Sequence, residues 1–381
     1  MERRILRRQT THSAGHRDTG GMIRRHHYFK FNVINTQIIS GQFSTIAGQK
    51  ISVDWGDGSA RNTYSGTDQT WSHDYGSAGN RTVGIFGSVV LTKFNMDAAG
   101  ANISFNIASL PASLTYFGCY GNNTCNGDIA SLPASLTHFY CTGNNTCNGD
   151  IASLPASLTY FYCTGSNTCN GDIASLPASL TYFGCTGNNT CNGDIASLPA
   201  SLTYFYCTGS NTCNGDIASL PASLTYFGCI GNNTCNGDIA SLPASLTYFY
   251  CTGSNTCNGD IASLPASLTH FGCAGNNTCN GDIASLPASL IYLYCTGNNT
   301  IADYTTPHTW TTKPTTFIVV PVGAGGLSTA EVDNLLIDFD ADLVWAAGNV
   351  ITLMGTNAAR SVASDAAVAN MVAEGATVTT N

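Results

Sequence analysis

Apolar and polar positions along this chain repeat with a period of 22 residues. The segment LPASL occurs nine times between residues 110 and 290, and each copy begins 22 residues after the previous one. The apolar positions of one copy are Leu136, Phe139, Cys141, Cys147 and Ile151. A unit of this length cannot bury its own apolar side chains, so neighbouring units must stack to make a core. The pattern therefore predicts a solenoid.

Each unit also predicts a short strand. Phe139 and Cys141 alternate with His138 and Tyr140, which is the two-residue period of a strand with an apolar face and a polar or aromatic face. Pro133 excludes a continuous helix and stiffens the return path. We expect the aromatic residues to face outward on a concave sheet.

The repeated unit resembles a known family. It reads Leu136-x-x-Phe139-x-Cys141-x-x-Asn144, followed by Cys147-x-Gly149-x-Ile151. This is similar to the leucine-rich repeat, with Phe and Cys where Leu usually stands, over residues 91–301. The resemblance implies a buried ladder formed by Asn144 and its equivalents. The interval from Asn144 to the second cysteine is one residue longer than in the family, which predicts a non-standard turn after the asparagine.

Residues 26–90 predict a small all-β domain, because apolar positions alternate with period two between glycine-rich turns. The segment 54–59 (DWGDGS), then His73-Asp74-Tyr75 and residues 79–83, is similar to the PKD-type immunoglobulin-like β-sandwich. This resemblance implies a spacer or adhesion module. Asp54 and Asp57 could bind calcium, but we expect them to cap the tight turn.

The two ends of the chain differ from the repeats. Residues 1–25 predict a basic arm without periodicity. Residues 302–381 predict an α/β cap that covers the open end of the solenoid, with strands at 317–322, 350–355 and 377–380. A capping box formed by Ser328 and Glu331 predicts the start of one helix, and a second is expected at 364–374. The predicted fold class is mainly β with an α/β cap: a 22-residue leucine-rich-repeat-like solenoid preceded by a small β-sandwich.

Charge is scarce and unevenly distributed. Charged residues make up 10% of the chain, with a net charge of −9, and no Lys or Arg occurs between Lys93 and Lys313. A body without cations cannot follow a phosphate backbone, so we expect no nucleic-acid binding. We also expect no membrane span, because no apolar run is long enough, and no secretory signal at the N-terminus.

The seventeen cysteines all lie in the repeats, as eight C-x5-C pairs and Cys295. They could form a disulfide ladder, a metal-thiolate column or a set of small buried side chains. Ile103, Ile301 and Met96 replace cysteines at the ends of the array, which favours buried thiols and leaves disulfides as the alternative. We expect no bound metal and no cofactor.

Two outward columns on the strands are the candidate binding face. They are aromatic and uncharged, which suits a glycan or a surface protein, although such ladders also stiffen a sheet. The candidate binding residues are Tyr116, His138, Tyr140, Tyr160, Tyr162, Tyr182, Tyr204, Tyr206, Tyr226, Tyr248, Tyr250, His270, Tyr292 and Tyr294.

A third column consists of aspartates, one per unit. Like charges at strand spacing repel, so we expect solvent, cations or a basic partner to neutralise them. One hypothesis is that the arginine arm of a second subunit docks on this column. The candidate assembly residues are Arg3, Arg4, Arg7, Arg8, Asp128, Asp150, Asp172, Asp194, Asp216, Asp238, Asp260 and Asp282.

These features together predict a non-enzymatic adhesion or receptor-binding protein on a virion or an extracellular surface. A phage tail or fibre component fits a chain without a secretory signal. The alternative is a self-assembling subunit of an extracellular filament. We expect no catalysis on the aromatic face, because no acid or nucleophile lies near His138 or His270 in the sequence.

Overall fold

The computed structural model describes residues 28–96, 102–322 and 325–381. The N-terminal strands are β1 (Tyr28–Thr45), β2 (Ile51–Asp54), β3 (Asn62–Tyr64) and β4 (Gln69–Phe86). They pair antiparallel in the order β3-β2-β4-β1, and alternate side chains of β1, such as Phe29 and Phe31, are buried. These four strands form one continuous hydrogen-bonded series, so a two-sheet sandwich over 26–90 stays a prediction.

Each 22-residue unit forms one coil with two short strands. We call the sheet formed by the first strands the aromatic sheet and the other the second sheet. The aromatic sheet contains β5 (Leu91–Met96), β7 (Tyr116–Cys119), β9 (His138–Cys141), β11 (Tyr160–Cys163), β13 (Tyr182–Cys185), β15 (Tyr204–Cys207), β17 (Tyr226–Gly231), β19 (Tyr248–Gly253), β21 (His270–Cys273) and β23 (Tyr292–Gly297). The second sheet contains β6 (Ile103–Asn106), β8 (Thr124–Asp128), β10 (Thr146–Asp150), β12 (Thr168–Asp172), β14 (Thr190–Asp194), β16 (Thr212–Asp216), β18 (Thr234–Asp238), β20 (Thr256–Asp260), β22 (Thr278–Asp282) and β24 (Thr300–Asp303).

Strands of successive coils pair in parallel, as the repeat predicts. In the aromatic sheet Tyr160 pairs with Tyr182 and Cys163 with Cys185, so equivalent residues form columns. The solenoid also joins the N-terminal strands, because β1 pairs with both β5 and β6. One apolar core therefore runs from the N-terminal strands into the coils.

A single turn of 3-10 helix follows each second strand from β6 to β22. In one coil the Asp150 carboxylate accepts a hydrogen bond from the Ala152 N–H at 2.9 Å and caps the turn. The chain then turns at Pro155, whose carbonyl accepts from the Leu158 N–H at 2.9 Å. These nine turns are Ile107–Ser109, Ile129–Ser131, Ile151–Ser153, Ile173–Ser175, Ile195–Ser197, Ile217–Ser219, Ile239–Ser241, Ile261–Ser263 and Ile283–Ser285. Two further 3-10 turns lie outside this series, at Ser88–Val90 between β4 and β5 and at Val362–Ser364.

The core of each coil is built from the predicted apolar positions. Leu136, Phe139, Cys141, Cys147 and Ile151 are all 0% exposed. The phenylalanines stack along the axis, with ring centroids 5.6 Å apart between Phe139 and Phe161. Burying a side chain of this size contributes about 2 kcal/mol, so stacking of coils supplies the stability that one unit lacks.

The buried asparagine ladder lies one residue later than the sequence comparison placed it. Asn145 is 0% exposed, whereas Asn144 lies in the exposed part of the loop. The Asn145 side chain donates to the carbonyls of Cys119 at 2.9 Å and Thr142 at 2.6 Å, and accepts from the Cys125 N–H at 2.7 Å. The extra residue of the unit therefore lies before the asparagine, where Gly143 adopts a left-handed φ of 83°. The prediction of a non-standard turn after the ladder asparagine was therefore wrong.

Residues beyond β24 continue the aromatic sheet. β25 (Thr316–Pro321), β26 (Val350–Leu353) and β27 (Thr377–Thr380) pair in parallel after β23. Helices α1 (Thr329–Asp342) and α2 (Asp365–Ala373) connect these strands. α1 begins at the predicted capping box, in which Glu331 accepts from the Ser328 N–H at 2.7 Å. These elements occupy the predicted places, and their role as a cap stays a prediction.

The C-terminal segment also repeats the asparagine scheme. Asn357 donates to the carbonyls of Val319 at 2.8 Å and Met354 at 3.0 Å, and it accepts from the Leu327 N–H at 2.9 Å. These three bonds match those of Asn145 in kind and position. The α/β segment is therefore built as further coils in which a helix replaces the second strand.

Candidate functional site

The first outward column of the aromatic sheet contains the tyrosines and histidines at the start of each strand. Its central rings stack face to face, with centroids 4.0 Å apart between Tyr160 and Tyr182 and 3.9 Å between Tyr182 and Tyr204. The parallel register causes this stacking, because it places equivalent residues side by side. Offset stacking of aromatic rings is favourable, so the column stiffens the sheet.

Stacking limits which atoms of these rings a ligand could contact. Their faces are covered by each other, so a ligand could contact only ring edges and hydroxyl groups. Burial between neighbours raises the pKa of Tyr182 and Tyr204, which keeps both phenols protonated and uncharged at neutral pH. The central part of the column is therefore a row of neutral hydroxyl groups.

The second column alternates between tyrosine and glycine over much of its length. The Tyr206 ring lies over Gly228 of the next coil, and a Cβ added to that glycine would overlap the ring. The pairs Tyr162–Gly184 and Tyr250–Gly272 have the same arrangement. At these three places the tyrosine ring occupies the space that a side chain on the glycine of the next coil would need. Tyr140 and Tyr162 follow one another without a glycine, so the fit is local to these pairs.

The rings of the first column are more widely spaced than its central stack at several places, and a groove lies beside one of them. The centroids of Tyr226 and Tyr248 are 5.3 Å apart, and the equivalent position after the nearby cysteine is Ile230, where Thr208 and Thr252 stand in the adjacent coils. The groove has a volume of about 340 Å³, within the range of small-ligand sites. It is lined by Tyr206, Tyr226, Ile230, Tyr248, Tyr250, His270 and Tyr292.

The groove combines half-buried rings with neutral polar atoms. Tyr250 reaches across the His270 coil and meets Tyr292 edge to face, with centroids 5.9 Å apart. Burial lowers the pKa of His270, so its imidazole is neutral at pH 7. The lining residues include no Lys, Arg, Asp or Glu. Such a groove can stack against a ring and hydrogen-bond to it, and it offers no ionic contact.

The structure divides the candidate binding residues into two groups. Six of them line the groove: Tyr206, Tyr226, Tyr248, Tyr250, His270 and Tyr292. The others lie along the same sheet outside it, such as Tyr160, whose ring is stacked at 4.2 Å on Tyr140. Sequence analysis missed Ile230, although its signal is visible, because Ile230 interrupts a column composed mainly of threonine.

The aspartate column has a local role that sequence analysis missed. Besides capping its own 3-10 turn, the Asp150 carboxylate lies against Gly171 of the next coil, where a Cβ would overlap it. Asp282 accepts from the Thr305 N–H at 3.0 Å. Burial opposes its ionisation, but the hydrogen bonds from Thr305 and Ala284 outweigh burial and lower its pKa. The arginines proposed to dock here, Arg3 to Arg8, lie outside the described residues.

The cysteines lie in the core, as the buried-thiol interpretation requires. Cys119 and Cys125 form a disulfide, and the other fifteen are buried thiols. Among residues 28–96, 102–322 and 325–381, no group of three or more His, Cys, Asp and Glu side chains could hold a metal ion.

The N-terminal turn holds the residues that carry the PKD resemblance. Asp54 accepts from the Gly56 N–H at 3.1 Å and Asp57 from the Ser59 N–H at 2.9 Å, so both cap the turn as expected. Asp57 also lies 2.7 Å from Nε2 of His73, whose ring stacks on Trp55. The carboxylates are engaged by the protein itself.

Comparisons with known proteins show distant likeness only. No protein-family model and no curated protein matches the chain. A plant peptide hormone receptor, RGFR1 in complex with RGF2, is similar at a TM-score of 0.45 and 16% identity, over 73% of this chain and 51% of that one. The circular leucine-rich-repeat protein CroV588 is similar at a TM-score of 0.18 and 18% identity, over 57% and 51%. The chain spans about half the length of each, and neither likeness indicates a ligand.

No helix in the part of the chain that the structure describes is long and apolar enough to cross a membrane.

Proposed function

We propose that this chain is a non-enzymatic binding protein that recognises a neutral glycan through the groove around Ile230. The observation that supports this most is the groove itself, which lies where the ring centroids of Tyr226 and Tyr248 are 5.3 Å apart and which is lined by aromatic rings and neutral polar groups. The apolar C–H face of a sugar can stack there. Tyrosine hydroxyls and the His270 imidazole can bond to its hydroxyl groups.

The charge of the groove favours a glycan over other ligands. No ionised side chain lines it, so a phosphate, a nucleic acid or a charged peptide would lose its hydration without gaining an ionic partner. A binding role also fits better than catalysis, because the lining residues include an imidazole and phenols but no carboxylate or thiol. An enzyme would need a further acid or nucleophile in reach of the ligand.

The biological setting of this proposal is a surface. A receptor-binding or adhesion component of a phage tail, a fibre or another extracellular surface would use a stiff solenoid to present such a groove. The hypothesis that the arginine arm docks on the aspartate column of a second subunit stays a prediction. Unchanged sedimentation of a chain lacking residues 1–25 would contradict it.

The proposal is tested by binding of the labelled full-length chain to an array of neutral and charged oligosaccharides. The variant Ile230→Thr restores the residue of the adjacent coils, so we expect it to fold normally and to bind about tenfold more weakly, or about 1.4 kcal/mol. The matched control Thr164→Ile makes the reverse change outside the groove and should bind like the original chain. Equal binding by all three proteins, or binding of charged glycans only, contradicts the proposal.

A further inference from the structure

A column of cysteine pairs runs through the core of the solenoid. In each of eight coils the first cysteine lies in a strand of the aromatic sheet and the second lies in the second sheet. Cys119 and Cys125 are already joined by a disulfide. In the next seven pairs the two Sγ atoms lie 2.8–3.4 Å apart. These pairs are Cys141–Cys147, Cys163–Cys169, Cys185–Cys191, Cys207–Cys213, Cys229–Cys235, Cys251–Cys257 and Cys273–Cys279.

The spacing indicates pairs rather than separate core side chains. Non-bonded carbon atoms rest about 3.5–4.0 Å apart, and sulfur is the larger atom. The paired sulfurs are therefore closer than two unlinked thiols prefer. Equivalent cysteines of successive coils lie on neighbouring strands, which are about 4.8 Å apart. Each sulfur is thus nearer to its partner within the coil than to the next coil.

The replacement of cysteines at the ends of the column also follows the pairs. In the coil before the first pair, Met96 and Ile103 occupy both cysteine positions. After the last coil, Val319 and Leu327 occupy both. A residue used only as a small apolar filler could be replaced singly at any coil. Cys295 is the exception, because Ile301 stands at the position of its partner.

We propose that all eight pairs form disulfides within their own coils and that Cys295 remains the single thiol. In each coil one cysteine thiolate attacks a low-molecular-weight disulfide such as oxidised glutathione, which forms a mixed disulfide and releases one small thiol. The second cysteine then attacks the protein sulfur of that mixed disulfide and releases the second small thiol. The protein loses two S–H bonds and gains one S–S bond, and the donor is reduced to two thiols.

These bonds form while the coils fold. The sulfurs are buried at 0% exposure in the stacked solenoid, so a disulfide donor has no access to them. Burial also raises the pKa of Cys163 and Cys207, which disfavours the attacking thiolate once the coils have closed. Oxidation therefore precedes stacking of the next coil, and a chain folded under reducing conditions keeps its thiols.

The repeat provides its own means of testing the proposal. The aspartates recur once per coil, so an endoproteinase that cleaves before aspartate releases one coil per peptide, for example residues 128–149 with both Cys141 and Cys147. The full-length chain is refolded in a buffer of oxidised and reduced glutathione, then unfolded without reductant in the presence of iodoacetamide and digested. Mass spectrometry then locates every label and every disulfide.

The expected result is that the eight paired peptides carry no label before reduction and two labels after it. Only the peptide 282–302, which contains Cys295, is labelled before reduction, and a Cys295→Ala variant loses that label. Two labels on the paired peptides before reduction would overturn the proposal. Disulfides that join peptides of different coils would overturn it too. The readout is independent of any ligand.

Discussion

At the scale of single residues, one asparagine per coil holds the loop between the two sheets. Its three hydrogen bonds satisfy the loop of its own coil and two backbone groups of the preceding coil. Buried polar groups of this kind are costly when left without partners. The ladder therefore links successive coils in addition to the apolar core.

The variant Asn189→Ala tests this role. It leaves the carbonyls of Cys163 and Thr186 and the N–H of Cys169 without partners, so we expect the free energy of unfolding to fall by about 3 kcal/mol. The matched control Asn188→Ser changes the exposed neighbour to the residue found at Ser166 and should cost under about 0.5 kcal/mol. Denaturant unfolding followed by circular dichroism measures both. Equal losses would contradict the ladder.

The two column histidines predict a pH dependence of stability. Burial lowers the pKa of both His138 and His270 in the folded chain. A histidine in the unfolded chain has a pKa of about 6.5, so near and below that pH the folded chain binds fewer protons than the unfolded chain. Stability is then lost as the pH falls through that value. The variant His138→Tyr/His270→Tyr restores the residue of the other coils. Between about pH 7.5 and about pH 5.5 its melting temperature should fall less than that of the original chain. An equal fall in both would contradict this account.

Most core residues could be predicted correctly from the sequence, but the ladder asparagine was predicted one residue too early. Positions 144 and 145 are both asparagine in that copy, and the family spacing favoured the first. The informative signal is substitution among copies, since the loop position alternates between Asn144 and Ser166 whereas the ladder position is always asparagine. A buried side chain with both donors and an acceptor in use tolerates no other residue type, which fits the constant asparagine.

At the scale of elements, neighbouring strands of the aromatic sheet fit each other through tyrosine and glycine. β15 supplies Tyr206 and β17 supplies Gly228, and the ring occupies the space that a side chain on the glycine would need.

The period of two predicted these strands, and the capping box predicted α1. The 3-10 turns were missed, because their aspartate cap and three-residue length give no periodic signal.

A double-mutant cycle on these two strands tests the fit. Gly228→Ala should destabilise the protein by about 1–3 kcal/mol, because the new methyl group displaces the Tyr206 ring. In a Tyr206→Ala background the same change should cost much less, since the ring is gone. Thermal unfolding of the four proteins gives the coupling energy. Additive effects would show that the ring and the glycine are independent.

At the scale of the whole molecule, one hydrogen-bonding and packing scheme runs from β5 into the α/β segment. The 22-residue period made the solenoid predictable, because stacking is its only means of burying the repeat. The groove was not predictable from the period. It lies beside Ile230, where the rings of Tyr226 and Tyr248 are 5.3 Å apart, and the spacing of two rings depends on how their side chains pack.

The most direct test of the binding site is an NMR titration of the full-length chain, labelled only in its tyrosine rings, with a neutral oligosaccharide chosen on the array. Signals are assigned with single Tyr→Phe variants. The account predicts that the rings of Tyr226, Tyr248, Tyr250 and Tyr292 shift on binding, whereas those of Tyr160 and Tyr182, whose faces are covered, do not. Shifts spread evenly along the column, or confined to Tyr160 and Tyr182, would contradict it.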